Sequence, residues 1–307
     1  MKVLITGVDG FTGRYLAPRL SAAGHEVHGL VQMPPRDAVA GTSAVHVCDL
    51  DDPPELARIV SEVQPHWVVH LAGISFVADG NAEAMYRVNF LGSRHLLEAL
   101  ASLPRAPEAV LLASSANVYG NATGGMLDES TPPAPANDYA VSKLAMEYLS
   151  ALYLARLPVI VCRAFNYTGV GQAEAFLLPK IVSHIRQRRP FIELGNLDVA
   201  RDFSDVRTLV GVYHRLLECP AAVGKTINVC SGRAYTLGEV LAMATEISGH
   251  GLEVRVNRAF VRQNEVNILL GNRALLDSIV GTLPSIELRD TLRWMIFPHD
   301  TPVAPYA

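Results

Sequence analysis

An α/β fold built on a doubly wound parallel sheet, with a smaller C-terminal part, is predicted by three features of this 307-residue chain. Short apolar strands alternate with helical runs through its first half. The first of those strands opens directly into a glycine turn. The fifth ends in a pair of serines, at the edge where an open parallel sheet places its ligands.

Val3 to Thr6 reads as the first strand, followed by Gly7-Val8-Asp9-Gly10-Phe11-Thr12-Gly13 and a helical run from Arg14 to Ala23. Strand, glycine turn and helix aim backbone N–H groups and a helix N-terminus at a pyrophosphate, with glycines where a side chain would block approach. Gly7, Gly10, Phe11, Thr12 and Gly13 are therefore candidate dinucleotide contacts, although the spacing is GxxGxxG and glycines also serve plain turns. Glu26 to Val31 is the second strand. A carboxylate at its tip would bond the ribose 2′-hydroxyl of NAD(H), whereas an arginine would accept the 2′-phosphate of NADP(H). The tip here is Val31-Gln32-Met33, so Gln32, with Arg36 a few residues on and Arg14 in the first helix, favours NADP(H). Either arginine could equally be solvated surface, and NAD(H) stays open.

Val45 to Cys48 is a third strand running into Asp49-Leu50. The Asp49 carboxylate could meet an adenine amino group beside Leu50, or simply precede the helix that starts at Pro54. Trp67 to Leu71 is the fourth strand, and Leu71, Ala72 and Gly73 at its end would let a cofactor lie close. His70, in the same apolar run, reads as a packing residue and not as a base. A long helix from Ala82 to Leu103 with Asn89 inside it leads to the fifth strand, which begins at Val110.

That strand places Ser114 and Ser115 at its carboxyl end. Asn137 or Asp138 can cap a helix running to Leu157, whose first turns carry Tyr139 and Lys143 on one face. A phenol titrates at about 10 in water, and an adjacent ammonium should lower that value toward a usable acid and base. Ser115 could then hold a substrate oxygen while a nicotinamide exchanges hydride with the neighbouring carbon. On its own, YxxxK is also an ordinary exposed helix face.

Pro158 to Arg163 is a sixth strand. Beyond it come a helix from Ala175 to Arg188, an extended piece Phe191 to Leu194, a loop from Gly195 to Val206, a strand Thr226 to Cys230, a helix Thr236 to Ile247 and an extended Leu252 to Asn257. This half has no glycine cradle. Residues 1–165 thus read as a Rossmann-like dinucleotide-binding domain, and residues 166–307 as mainly substrate-binding, with segments returning to the first domain.

A net charge of −4 leaves no basic excess to neutralise phosphates, which argues against nucleic acid or a membrane surface as partner. No apolar run is long enough to span a bilayer, and the opening strand comes too early for a signal peptide, so a cytoplasmic protein is expected. Cys48, Cys162, Cys219 and Cys230 are scattered without CxxC spacing, and the ten histidines form no HExxH pair. Buried reduced thiols and no metal are expected.

Gly7-x-x-Gly10-x-x-Gly13, Ser115 and Tyr139-x-x-x-Lys143 together resemble the extended short-chain dehydrogenase/reductases, the nucleotide-sugar epimerase and dehydratase group, over nearly the whole chain. Three further stretches narrow the resemblance: Arg163-Ala164-Phe165-Asn166 with Gly169-x-Gly171-Gln172, Gly195-Asn196-Leu197-Asp198 with Arg201-Asp202-Phe203-x-Asp205-Val206, and Asn228-Val229-Cys230-Ser231-Gly232. They are similar to the members that handle GDP-6-deoxyhexoses, the GDP-mannose 4,6-dehydratases and, closer, the GDP-6-deoxy-D-mannose reductases. The resemblance implies catalysis by Ser115, Tyr139 and Lys143, and a GDP-sugar site lined by Asn166, Lys180, Asn196, Arg201 and Arg262. It also implies a homodimer through a four-helix contact made by the 82–103 and 139–157 helices, which could equally just cover the sheet. Arg201 and Arg262 could fork onto a diphosphate, while Arg201 beside Asp202 and Asp205 could instead be a structural ion pair.

One departure narrows the chemistry. Related dehydratases carry a glutamate two residues after the catalytic hydroxyl, to move the proton beside the 4-keto group. Asn117 stands there, and an amide takes up no proton at neutral pH. The expected function is NAD(P)H-dependent reduction of the C4 ketone of a GDP-4-keto-6-deoxyhexose, giving GDP-D-rhamnose, with Lys143 on the nicotinamide ribose. The rivals are a 4-epimerase with retained NAD, a GDP-mannose 4,6-dehydratase, and a non-catalytic cofactor-sensing protein on the same fold.

Overall fold

A computed structural model describes residues 1–75, 81–120, 125–197, 199–257 and 268–298. The first half runs β1 (Lys2–Thr6), α1 (Gly13–Ala22), β2 (Glu26–Val31), β3 (Ala44–Val47), α2 (Pro53–Val63), β4 (Trp67–His70), α3 (Ala82–Tyr86), a π-helical turn (Arg87–Gly92), α4 (Ser93–Ala101), β5 (Ala109–Ser115), a 3-10 turn (Ala116–Tyr119), β6 (Met126–Leu127), α5 (Asp138–Ala151) and β7 (Val159–Ala164). The second half continues with β8 (Asn166–Thr168), α6 (Leu177–Arg186), β9 (Phe191–Leu194), β10 (Ala200–Asp205), α7 (Val206–Leu217), β11 (Thr226–Val229), β12 (Ala234–Thr236), α8 (Leu237–Ser248), β13 (Glu253–Val256), β14 (Ile268–Gly271), α9 (Ala274–Val280) and α10 (Leu288–Ile296).

Seven strands form one parallel sheet in the order β11-β7-β5-β4-β1-β2-β3. The chain winds outward from β1 in one direction and from β4 in the other, the Rossmann-like arrangement whose ligand crevice lies where the order reverses. Central strands are apolar along their length because helices cover both faces. One core packs Val3, Ile5, Val69 and Leu111 with α1 and α7; the other packs Leu4, Val68, Val110 and Leu112 with α2, α4 and α5. Val68, Val69, Leu111 and Leu112 are wholly buried, each contributing about 1.5–3 kcal/mol of transfer free energy. A second sheet, β12-β10-β14-β6 with β8 paired to β10, and a β13-β9 pair make up the rest.

Three expectations are corrected. The helix expected over 82–103 is broken by the π-helical turn, because Asn89 is turned fully inward and bonded to Ile74 and Ser142. The helix expected to reach Leu157 ends at Ala151; residues 152–156 tighten into turns closed by Leu152 N–H to Leu149 C=O and Tyr153 N–H to Ser150 C=O, ahead of Pro158. The loop expected over 195–206 holds β10, a central strand of the second sheet. Its polar sequence masked it. Asp202 accepts from Ser231, Gly232 and Gly271, and Asp205 from Arg207 and Thr291, so both carboxylates are buried and satisfied.

Gly120, which ends the 3-10 turn, has φ +57°, and a Cβ there would lie 1.6 Å from the Ala134 carbonyl oxygen. Gly120→Ala is therefore expected to destabilise the protein by about 2 kcal/mol or more, read from urea unfolding midpoints.

Candidate active site

The site is assembled at the carboxyl ends of β1, β4 and β5. Gly7 N–H donates to the Leu30 carbonyl and leaves β1 at φ +67°, a left-handed turn that glycine adopts freely. A Cβ on Gly7 would sit 2.9 Å from Ala72 Cα, and one on Gly13 would sit 2.5 Å from Val8 O. The turn is thus packed too closely for side chains and presents bare backbone at the start of α1, which suits a dinucleotide pyrophosphate. Phe11 stacks on Tyr167 at 6.0 Å, and Thr12 Oγ1 shares a 2.9 Å hydrogen bond with the Tyr167 hydroxyl, tying the turn to β8.

The tip of β2 carries Gln32, whose amide donates to Asp49 (2.9 Å) beside the buried Leu50. Arg36, a few residues on, is exposed, as is Arg14 in α1, whose Nε donates to the Asp9 carbonyl (2.7 Å). Gly73 lies against the helix that carries Lys143: a Cβ there would be 2.9 Å from Asn89 Oδ1 and 3.2 Å from Lys143 Nζ. His70 is a buried strut, as its apolar setting suggested. Ser93 donates to the Asn89 carbonyl, so its Oγ accepts from His70 Nε2–H (2.8 Å), and His70 Nδ1 accepts from Thr6 (2.7 Å). Burial drives this imidazole's pKa down to about 3, so it stays neutral.

Helix α5 starts at Asn137, whose side chain accepts from Ala140 N–H at 2.9 Å, and this cap sets Tyr139 in the first turn. Ser115 ends β5, and its hydroxyl accepts Asn117 N–H (3.2 Å) and favours the ionised form of the Tyr139 phenol. Lys143, one turn on, is buried and donates through Nζ to the Ala113 carbonyl (2.9 Å). The expected triad is therefore brought together. The expected lowering of the Tyr139 pKa is not found. Burial, with Tyr167 adding to it, pushes the phenol up to about 12 against the opposing effect of the Ser115 hydroxyl, and burial brings Lys143 down to about 8. Desolvation is the largest cause at both groups, and neither group shifts the other. Asn117 is exposed on the 3-10 turn after Ser115, and what it brings there is an amide.

Behind the triad lies a polar cluster that sequence reasoning missed. Glu147 accepts from the Ser114 hydroxyl (2.5 Å) and from Arg163 (2.7 Å to Nη2, 3.1 Å and 3.2 Å to Nε). Arg163 also stands over the Tyr119 ring at 4.8 Å, whose hydroxyl donates to Asn228 (2.7 Å). The available signal was a further four-residue step, Tyr139, Lys143, Glu147.

The candidate substrate residues are spread over neighbouring elements. Asn166 on β8 donates to the Asp202 carbonyl of β10 (3.3 Å), Lys180 on α6 donates to the Glu193 carbonyl of β9 (2.9 Å), Asn196 follows β9, and Arg201 on β10 donates to the Ala200 carbonyl (2.9 Å). Asp205, one of the carboxylates weighed as a partner for Arg201, pairs with Arg207 at 2.7 Å. Arg262 lies outside the described residues.

With this geometry in hand, the chain was compared with known proteins. Residues 4–295 match the family described as GDP-mannose 4,6 dehydratase. A GDP-6-deoxy-D-talose 4-dehydrogenase of Aggregatibacter actinomycetemcomitans is 33% identical over 92% of each chain. A GDP-6-deoxy-D-mannose reductase of Pseudomonas aeruginosa is 32% identical over 95% of each. Among solved structures, a Burkholderia cenocepacia protein described as a candidate epimerase superposes with a TM-score of 0.92 at 50% identity, covering 97% of each chain. The RMD protein of Pseudomonas aeruginosa complexed with NADPH superposes with a TM-score of 0.83 at 30% identity, over 96% of this chain and 97% of that one. The parallel sheet, the glycine turn, the Ser115–Tyr139–Lys143 set and these matches together make the chain a member of the GDP-mannose 4,6 dehydratase family, an enzyme of the extended short-chain dehydrogenase/reductase type.

Proposed function

We propose that the chain is an NAD(P)H-dependent reductase, with NADP(H) favoured over NAD(H), of the C4 ketone of a GDP-4-keto-6-deoxyhexose, in its simplest form turning GDP-4-keto-6-deoxy-D-mannose into GDP-D-rhamnose. The observation that carries this reading is Ser115 at the end of β5 with Tyr139 and Lys143 one turn apart on α5, Lys143 being tied to the Ala113 carbonyl of that strand, and Asn117 in place of a proton-moving carboxylate. Two relatives support it, one named a 4-dehydrogenase and the other a reductase, each of a GDP-6-deoxy sugar.

When bound, the dinucleotide supplies hydride to C4. Ser115 orients the C4 oxygen. Tyr139, with its pKa raised to about 12, holds its proton at neutral pH and so can donate it to that oxygen. Lys143 holds the nicotinamide ribose, and its ammonium offsets the phenolate left behind. Gly7, Gly10, Phe11, Thr12, Gly13, Gln32, Asp49, Leu50, Leu71, Ala72 and Gly73 hold the dinucleotide within residues 1–165, and the exposed Arg14 and Arg36 select its 2′-phosphate. Asn166, Lys180, Asn196, Arg201 and Arg262 bind the GDP-sugar within residues 166–307.

Helix α5 exposes Tyr148 (66%) and Val141, with Leu152 (76%) just past its end and Leu91 on the neighbouring π turn. Apolar side chains this bare on a cytoplasmic enzyme fit a four-helix contact between two copies.

The deciding assay gives the purified protein GDP-4-keto-6-deoxymannose with NADPH or NADH and identifies the product by NMR. Stoichiometric oxidation, faster with NADPH, and a 4-hydroxy sugar are expected; no oxidation, with NAD retained through purification, would support the 4-epimerase instead. Tyr139→Phe is expected to lower kcat by about 100- to 10,000-fold with little change in cofactor affinity, whereas a cofactor sensor would keep its output. The Lys143 charge is present below its pKa of about 8 and lost above it, so kcat/KM should fall about tenfold per pH unit on that alkaline side. Tyr148→Glu combined with Leu152→Glu should convert a dimer into a monomer in sedimentation velocity.

A further inference from the structure

The Tyr139 to Lys143 step on α5 continues to Glu147, a carboxylate only 8% exposed. A buried carboxylate costs several kcal/mol unless it is paired and hydrogen-bonded, so its partners indicate what it does. One of them, Ser114, lies between two residues of β5 that belong to the site: Ala113, whose carbonyl receives Lys143, and Ser115, which ends the strand. The other, Arg163 on β7, comes from the adjacent strand. Glu147 therefore clamps the end of β5 from behind while standing one helical turn beyond the lysine.

We propose that Glu147 is a positioning residue for Lys143, supplying from a fixed place the buried negative charge that holds the lysine as an ammonium. This rests on the reading of Lys143 as the group that must stay charged during turnover. The charges around the pair are accounted for from each side. On α5 itself Lys143 has Tyr139 on one side and Glu147 on the other. From β4 comes His70, which is neutral, and from β7 comes Arg163, engaged on Glu147 and covered by Tyr119. Glu129 touches the far side of the cluster through Asn228 N–H, while Tyr167 on β8 and Tyr213 on α7 are phenols that burial keeps protonated. Glu147 is the carboxylate whose charge opposes the desolvation of Lys143.

The protein has only four lysines, Lys2, Lys143, Lys180 and Lys225, so it can be labelled with lysine enriched in carbon-13 at Cε and each signal followed by NMR through a pH titration. Lys143→Arg identifies the signal of interest by its loss. In the full-length protein, Glu147→Gln is expected to move the Lys143 midpoint down by about one pH unit, and Glu147→Asp to restore most of it. Because Glu147→Gln strands Arg163, the double variant Glu147→Met with Arg163→Met fills the same volume without charge and keeps the test available if the single variant does not fold. A smaller downward shift is expected there, because the Arg163 charge that opposes the ammonium is removed with the carboxylate. A wild-type midpoint in whichever of these variants folds would overturn the proposal and leave Glu147 as a packing element. The titration needs neither cofactor nor sugar. A failure of the reductase reading would appear in the turnover assay and leave the lysine midpoints as expected.

Discussion

The hydrogen bond from Lys143 Nζ to the Ala113 carbonyl is the contact about which the rest of the site is arranged. It takes a charged side chain out of water and fixes it to the backbone of a central strand, which requires compensation from the surroundings. That compensation comes from Glu147 one turn further on, and Glu147 in turn needs Arg163 and Ser114. Breaking a buried pair of this kind by removing one partner costs about 3–5 kcal/mol, so the geometry of β5 against α5 is held by polar as well as apolar contacts. The consequence is a phenol, an ammonium and a hydroxyl in fixed register before any ligand arrives, and electrostatic preorganisation of this sort is where much enzymatic rate enhancement originates.

The same economy governs the other side of the site. Strands β1 and β4 adjoin at the reversal of the sheet, and Thr6, His70 and Ser93 form a chain of hydrogen bonds that ends on the Asn89 carbonyl. Asn89 in turn bonds Ile74 and Ser142, so the π-helical turn links the segment after β4 to α5. A regular helix over 82–103 would rotate the residues past the turn and lose that bridge. The extra residue in the turn is the local cost of putting a satisfied amide against Gly73 and Lys143.

In the second half of the chain, buried carboxylates organise strands that carry few apolar residues. Asp202 gathers the Ser231–Gly232 turn and Gly271 onto β10, and Asp205 fastens α7 and α10 through Arg207 and Thr291. Arg207 stacks over Trp294 at 3.8 Å, and Trp294 reaches Tyr15 of α1, so this half is packed directly onto the helix that follows the glycine turn.

The sheet, the glycine turn and the identity of Ser115, Tyr139 and Lys143 were legible in the sequence because each is a local feature. An apolar run between turn residues, a glycine demanded by a close approach, and a four-residue helical spacing depend on near neighbours alone. Glu26 to Val31 and Phe191 to Leu194 fall where the pattern put them. What the sequence did not disclose depends on contacts between distant residues. The strand Ala200–Asp205 reads as a polar loop until Ser231, Gly271 and Thr291 arrive to satisfy its carboxylates. The break at Asn89 makes sense only beside Ile74 and Ser142. The direction of the Tyr139 shift turns on burial, and burial is a property of the folded chain: adjacency in sequence predicted a lowered phenol, whereas the packed site raises it, since taking the phenol out of water disfavours its charged form.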